Sequence, residues 1–496
     1  MESSLERTAE GWVARYRVRA RDPVRLTSVD VRIEGPGGDD PQLRRAVEDF
    51  PLRRGEPLRH PTWTRGKETL LHRATARGYL DATFAENGVE VDLATYEARA
   101  TLRLETGPRF RFGPVRFEGS HFERDFLIRY VPFREGDPFV LEELLAVQSE
   151  LAASPYFRRV EVVPRREEAS ELRVPILVAL RDRPQNGISG GVGYATDTGP
   201  RGTFAWDRRW LGEGGDRLHG ELRASFVTRT AALNYIVPVG RRSDDELAFT
   251  AAAQDDESFE DARSRSLRAT GAFTHGRGGW RESVSLTLKS EWFDVGDVSS
   301  RSTLVLPEAS WTRTRANQAL VPTRGSRLAG RFTGTAEAIG SDVSFGQILL
   351  RARAIRSPLD GARIIARVEV GATAVDDLTD LPVSHRFFAG GDQSVRGYDF
   401  HEIGPRDSEG LVIGGRHLVA GSLEYEHTVW GPLAAAVFAD AGNAFVDLDG
   451  SLDLETGVGT GARWRSPIGP VKLDVAWAVS RSGRPVRLHF SVGAGL

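Results

Sequence analysis

Val471-Lys472-Leu473-Asp474-Val475-Ala476-Trp477 carries an apolar side chain at every second position, and Val486-Arg487-Leu488-His489-Phe490-Ser491-Val492 does the same. Alternation with period two marks a strand with one apolar and one wet face. Working back from there to Gly187, segments of about ten residues keep this habit between clusters of Gly, Pro, Asp and Ser, and marking each of them predicts about sixteen strands. An even number of antiparallel strands closes a sheet with both ends on one side. A soluble β-sandwich also alternates, but these strands are long and hold charges such as Arg363, Arg367 and Glu369 at alternate positions within them. The expected fold is a membrane β-barrel of about 16 antiparallel strands over residues 185–496, preceded by α+β modules.

Composition narrows the alternatives. The chain has 496 residues, too many for one ordinary domain, and its formal charge of −3 with a pI near 6.4 gives no basic footprint for nucleic acid. It contains no cysteine, which removes disulfides, thiolate metal sites and a cysteine nucleophile. No stretch approaches the roughly 18 apolar residues of a spanning helix, which leaves a barrel open. Lysine occurs only at Lys67, Lys289 and Lys472, and no function is read from that bias toward arginine. Residues 1–7 lack the apolar core of a secretory signal, so an exported protein is expected to carry further N-terminal sequence.

Before Arg183-Pro184-Gln185 the text is different. Leu141, Leu144, Leu145, Gln148 and Leu151 share one face of a predicted helix between Phe139 and Ser154. An internal repeat is visible: Pro51-Leu52-Arg53-Arg54-Gly55-Glu56-Pro57-Leu58 returns as Pro132-Phe133-Arg134-Glu135-Gly136-Asp137-Pro138-Phe139, and Val31-Arg32-Ile33-Glu34-Gly35 as Val115-Arg116-Phe117-Glu118-Gly119. With a period of roughly 80 residues, each copy reads as strand, helix, Gly-Asp/Glu-Pro turn, helix and two strands. The predicted closing strands are 90–93 with 98–104, and 159–163 with 172–180. This sets modules at 23–107 and 108–184. Tyr16-Arg17-Val18-Arg19 matches the closing strand of a copy, so residues 1–22 are expected to be a poorly anchored remnant of an upstream module.

The longest inter-strand loop, about 381–414, contains Phe387-Phe388-Ala389-Gly390-Gly391-Asp392-Gln393-Ser394-Val395-Arg396-Gly397-Tyr398. Its aromatic pair and adjacent glycines predict a loop folded inward. Gly390 to Tyr398 resembles the sixth-loop signature of the BamA/TamA superfamily, and the repeat resembles that family's POTRA modules. Pro322-Thr323-Arg324-Gly325, Phe438-Ala439-Asp440-Ala441-Gly442-Asn443 and Ser466-Pro467-Ile468-Gly469-Pro470-Val471-Lys472-Leu473-Asp474 also match. Within the superfamily the chain looks most like TamA, which has three modules where BamA usually has five and whose chain can end in leucine, as this one does at Leu496 in place of the common aromatic.

The resemblance implies an outer-membrane factor that inserts or exports client proteins, outer-membrane proteins or autotransporters among them, in contact with outer-membrane lipid and with an inner-membrane TamB-like partner left open. It places Val395, Arg396, Gly397 and Tyr398 at a loop tip tied to Glu424, Phe438 and Asp440 on the lumen wall. A water-exposed pair there is expected to contribute only about 1 kcal/mol, positioning the loop more than stabilising the fold.

Gly187, Gly190, Gly191 and Gly193 crowd the first barrel strand and Gly493 and Gly495 end the last. They predict a weak lateral seam that accepts client strands by β-augmentation, although small residues suited to barrel curvature read equally well. A two-partner secretion pore of the same superfamily, a passive porin and an envelope enzyme remain as alternatives. Gly187-Ile188-Ser189-Gly190-Gly191 fits a nucleophile-elbow pattern, yet no helix follows it, and neither a Walker loop nor a His-Glu-x-x-His pair is present. No enzyme activity, cofactor or metal is expected.

Overall fold

The computed structural model describes residues 2–8, 11–17, 23–259, 262–295, 298–318, 322–448, 452–466 and 469–492. The chain separates into two compact units, residues 1–121 with 130–183, and residues 122–129 with 184–496.

In the first unit, β1 (Glu2–Thr8) and β2 (Gly11–Arg17) form an antiparallel pair. The sequence led to a single leftover strand here; the structure has two, each satisfying the other's backbone. Next come β3 (Arg25–Glu34), α1 (Pro41–Glu48), α2 (His60–Ala76), β4 (Thr83–Asp92) and β5 (Glu97–Glu105), with strand order β3-β5-β4 and β5 central, parallel to β3 and antiparallel to β4. Trp63, Leu70 and Ala74 of α2 cover Leu102 and Leu104 of β5 in one apolar core. The chain repeats the plan with β6 (Arg111–Glu118), then the short α3 (Arg124–Leu127), which belongs to the second unit, followed by α4 (Leu141–Ala153), β7 (Phe157–Pro164) and β8 (Arg173–Asp182), in order β6-β8-β7.

The repeated Gly-Glu/Asp-Pro text has a structural cause. Gly55 N–H donates to Leu26 C=O at 2.7 Å and Leu26 N–H to Glu56 C=O at 3.0 Å; Gly136 N–H donates to Phe112 C=O at 2.8 Å and Phe112 N–H to Asp137 C=O at 2.9 Å. The turn thus docks on the first strand identically in both copies. The face of α4 differs from expectation: Leu144, Val147 and Leu151 are buried, whereas Leu145 is 57% exposed and Gln148 faces solvent. A stripe at i, i+3, i+7 leaves the residue after its first member about 100° off the core side.

The second unit closes sixteen strands: β9 (Asn186–Ala195), β10 (Gly199–Arg208), β11 (Arg217–Ala224), β12 (Thr228–Pro238), β13 (Glu246–Phe259), β14 (Ala262–Arg277), β15 (Trp280–Val295), β16 (Val298–Ala316), β17 (Gly325–Thr335), β18 (Phe345–Arg356), β19 (Ala362–Val375), β20 (His417–Trp430), β21 (Leu433–Phe445), β22 (Glu455–Ser466), β23 (Gly469–Ala478) and β24 (Val486–Val492). Each is antiparallel to its neighbours, and β24 returns to β9. Alternation is explicit in β21, where Ala434, Ala436, Phe438, Asp440 and Ala444 are buried inward while Leu433 and Val437 stand outward. Leu286, Leu288, Val368, Leu423 and Leu488 continue the outward apolar face around the wall.

Leu102 lies fully buried on the central strand of its module. Leu102→Ala should therefore destabilise that module by about 2–5 kcal/mol. In urea, protease cleavage within 23–107 should begin at lower denaturant, while the heat-dependent electrophoretic shift of the folded barrel stays unchanged.

Candidate functional site: loop lock and barrel seam

The connection from β19 to β20, residues 376–416, turns into the barrel. Ala389, Val395, Tyr398 and Ile403 are buried against Leu349, Leu418, Ala444 and Ala478 of the wall. Gly397, at φ +101°, lets the chain turn back next to Ala478, and its conformation is one that L side chains rarely adopt.

Arg396 stands at the centre of this contact and is 3% exposed. Its Nε and Nη2 donate to the two carboxylate oxygens of Asp440 at 2.7 and 2.9 Å, and its backbone N–H adds a third bond to Asp440 at 3.1 Å. Nη1 reaches Glu424 at 2.7 Å and Asp474 at 3.2 Å, and the guanidinium lies 3.4 Å from the centre of the Phe438 ring. Arg463 closes the other side of the same carboxylates, with Glu424 at 3.0 Å and Asp474 at 2.5 Å, and Arg363 holds Glu426 nearby. Arg363, Arg463 and four carboxylates on β19 to β23 thus form one cage around Arg396 of the loop tip. Val395, Arg396, Gly397, Glu424, Phe438 and Asp440 meet here, whereas the Tyr398 hydroxyl donates to Glu455 at 2.5 Å, outside the cage.

The energetic expectation changes. The loop itself covers the cage, so Arg396 and Asp440 are buried rather than bathed in lumen water, and removing one partner strands charge in a poorly solvated site. Sequence reasoning did not assign Asp474, Arg463 and Glu426 to the site. Only their inward register was legible, as charged residues at alternate positions of segments already read as strands; the loop that covers them was not.

Two further anchors hold the loop. Ser384 donates to Glu291 at 2.6 Å and accepts from Lys289 at 2.6 Å, while Ser264 donates to the same fully buried Glu291 at 2.8 Å, tying the loop's base to β14 and β15. At the other end, Gly397 N–H donates to Nε2 of His489 on β24 at 2.9 Å. The proton of a neutral imidazole then sits on Nδ1, which donates to Asp392. Asp392 N–H in turn donates to Asp197 in the β9–β10 turn at 2.6 Å. Ligand atoms of Asp197, Asp392 and His489 lie within 4.8 Å of one another. With Nδ1 protonated, however, that nitrogen has no lone pair for a metal, and the three groups act as a hydrogen-bonded clasp.

The clasp sits beside the seam. Among the described residues, β24 and β9 pair at Ser491↔Ala195 and Val492↔Tyr194. Thr196 supplements them, its N–H donating to Phe490 C=O at 3.0 Å and its hydroxyl accepting from Phe490 N–H at 3.1 Å. A Cβ on Gly193 would lie 2.8 Å from Val492 C=O, so the close approach at this point requires glycine. Gly187, Gly190 and Gly191 lie along β9 below it; Gly493 and Gly495 fall outside the described residues.

A closed sixteen-strand barrel with an apolar belt and a loop locked in its lumen defines an outer-membrane barrel whose modules are periplasmic. The family model described as the Omp85 superfamily domain matches residues 210–496, and the POTRA model, described as the surface antigen variable number repeat, matches 110–181. The chain belongs to the Omp85 superfamily. The outer membrane protein assembly factor BamA of Nitratidesulfovibrio vulgaris is 27% identical over 409 residues, covering 76% of this chain and 50% of its own. The chain spans about half the length of the curated BamA relatives it matches. Among solved structures, Haemophilus ducreyi BamA lacking POTRA domains 1-3 superposes with TM-score 0.73 at 18% identity, covering 94% of this chain and 99% of that one. CdiB from Acinetobacter baumannii gives TM-score 0.53 at 14% identity over 96% and 90%. Both structural likenesses concern the fold.

Arg396→Ala should cost the loop lock about 3–5 kcal/mol, since three carboxylates lose their shared partner. Protease access to 376–416 should rise in a barrel that still shows its heat-dependent shift. In a double-mutant cycle with Asp440→Ala, the double variant should lose less than the sum of the singles, and strict additivity would refute the cage.

The clasp also has a pH dependence. Burial, and then the neighbouring Asp392 carboxylate, push Asp197 from 3.8 up to about 6. A carboxyl with a raised folded value contributes stability that is complete below about 3.8 and lost as pH rises through about 6. After correction for intrinsic rates, the Asp392 amide should be better protected from hydrogen exchange at pH 5 than at pH 7.5. Asp197→Asn should flatten that difference.

Proposed function

We propose that this protein is an outer-membrane assembly and translocation factor of the TamA-like kind, which delivers client proteins through the β24–β9 seam. The observation that carries this reading is that the locked loop is bonded to both edges of the seam, through Gly397 N–H to His489 of β24 and Asp392 N–H to Asp197 just past the end of β9. Parting these strands exposes backbone donors and acceptors of β9, the edge on which a client strand can build. The loop lock adjoins the same edge through His489 and Asp197, which couples loop position to seam closure. In this reading residues 23–107 and 108–184 are POTRA modules that receive clients in the periplasm, and 1–22 belong to a further module of the same kind. Clients are other outer-membrane barrels or autotransporters, and a TamB-like inner-membrane partner hands them on.

The test uses the absence of native cysteine. Ala195→Cys with Ser491→Cys places thiols on directly opposed residues, and a disulfide forms once the Cβ atoms come within about 4 Å. Client insertion should stop under oxidation and return on reduction, while client binding to the modules persists. Undiminished insertion with the seam fully crosslinked would overturn lateral delivery. Depletion in cells separates the neighbouring reading: loss of several barrels or autotransporters supports assembly, whereas loss of one secreted exoprotein supports a two-partner secretion pore.

A further inference from the structure

The outer wall from β9 to β16 has a feature that strand closure does not require. One cross-strand row on its outward face reads Arg229, Asp255, Arg265, Trp292, Arg301, each directly opposite the next. It lies near the hairpin ends where β12, β14 and β16 begin, opposite the end at which the chain enters β9, and therefore at the level of the outer leaflet. Arg229 and Arg265 are 62 and 60% exposed although both approach Asp255, at 3.6 and 3.5 Å. The stronger partner of Asp255 is Arg263, at 2.7 Å, which also holds Glu257. The Arg301 guanidinium lies 5.0 Å from the centre of the Trp292 ring. A row near the same end of the opposite wall, Phe332, Ile348, Ala372 and His417, has no arginine.

Toward the membrane interior the two rows beneath the arginines are floored by Ala231, Ala253, Ala251 and Ala269 and walled by Leu222, Leu267 and Leu288. These small side chains leave two adjoining apolar grooves of about 890 and 860 Å³, and the second reaches Val192 of β9 and Gly202 of β10. Guanidinium groups pair phosphate oxygens in a planar, bidentate fashion, and tryptophan marks the headgroup boundary. We propose that this face binds a phosphate-bearing, multi-acyl lipid of the outer leaflet, with phosphates on Arg229, Arg265 and Arg301 and acyl chains in the alanine-floored grooves. The bound lipid lies against the first barrel hairpin. This site stands on the wall alone and is independent of how clients are delivered.

Native mass spectrometry of the full chain in neutral detergent, titrated with bisphosphorylated lipid A, tests it. R229Q/R265Q/R301Q should weaken binding on the order of a hundredfold, and wild type should bind dephosphorylated lipid A as poorly as that variant binds the phosphorylated form. Filling the floor with A251L/A253L should give a comparable loss with every arginine in place. The heat-dependent shift reports folding of each variant; if a variant fails to fold, the comparison of the two lipids on wild type decides. Equal affinity for phosphorylated and dephosphorylated lipid, unchanged binding by a folded variant, or displacement of the lipid by millimolar inorganic phosphate would each overturn the proposal.

Discussion

In a hydrocarbon layer no water is available to a backbone N–H or C=O, so each must find its partner within the protein. Everything in the second unit follows from that constraint. Sixteen strands close because an open edge in lipid is untenable, and the side chains alternate because one face meets lipid and the other does not. Where β24 meets β9, the ladder pairs Ser491↔Ala195 and Val492↔Tyr194 are joined by reciprocal bonds between Thr196 and Phe490.

The loop lock answers a different requirement. Burying an arginine among carboxylates carries a large desolvation penalty, which the Coulombic gain offsets only when the geometry is nearly complete. Arg396 meets that condition through two bonds to Asp440, contacts to Glu424 and Asp474, and the face of Phe438. Such a cage defines orientation more than it adds stability. It accepts one placement of the loop tip and makes displaced ones expensive, because each leaves charges without partners.

Most of this architecture is legible in the sequence, for identifiable reasons. Period-two text over a dozen segments marks the barrel, and the recurrence of Gly-Glu/Asp-Pro marks the modules because the turn makes the same two backbone bonds each time. Arg396 and Asp440 were readable because a loop signature and a strand motif flank them. Arg463, Asp474 and His489 were not, since an inward charge on a strand looks the same whether it faces water or a covering loop. The burial that turns a wet pair into a cage is a tertiary property, created by residues 376–416 folding over the wall. The solvent-facing Leu145 of α4 shows the same limit at small scale: a leucine adjacent to the core stripe is indistinguishable from a member of it until the helix is docked.

The anchoring of the loop at both ends has a mechanical meaning. Ser384 is fixed to Glu291 and Lys289 on the wall at β15, while Gly397 and Asp392 are fixed to the last strand and the first turn. A body pinned to the wall at one end and to the edge strands at the other is a tie. Under the proposed parting of that edge it would be loaded in tension, and the clasp, with three hydrogen bonds against the many of the cage, would be the joint that yields first.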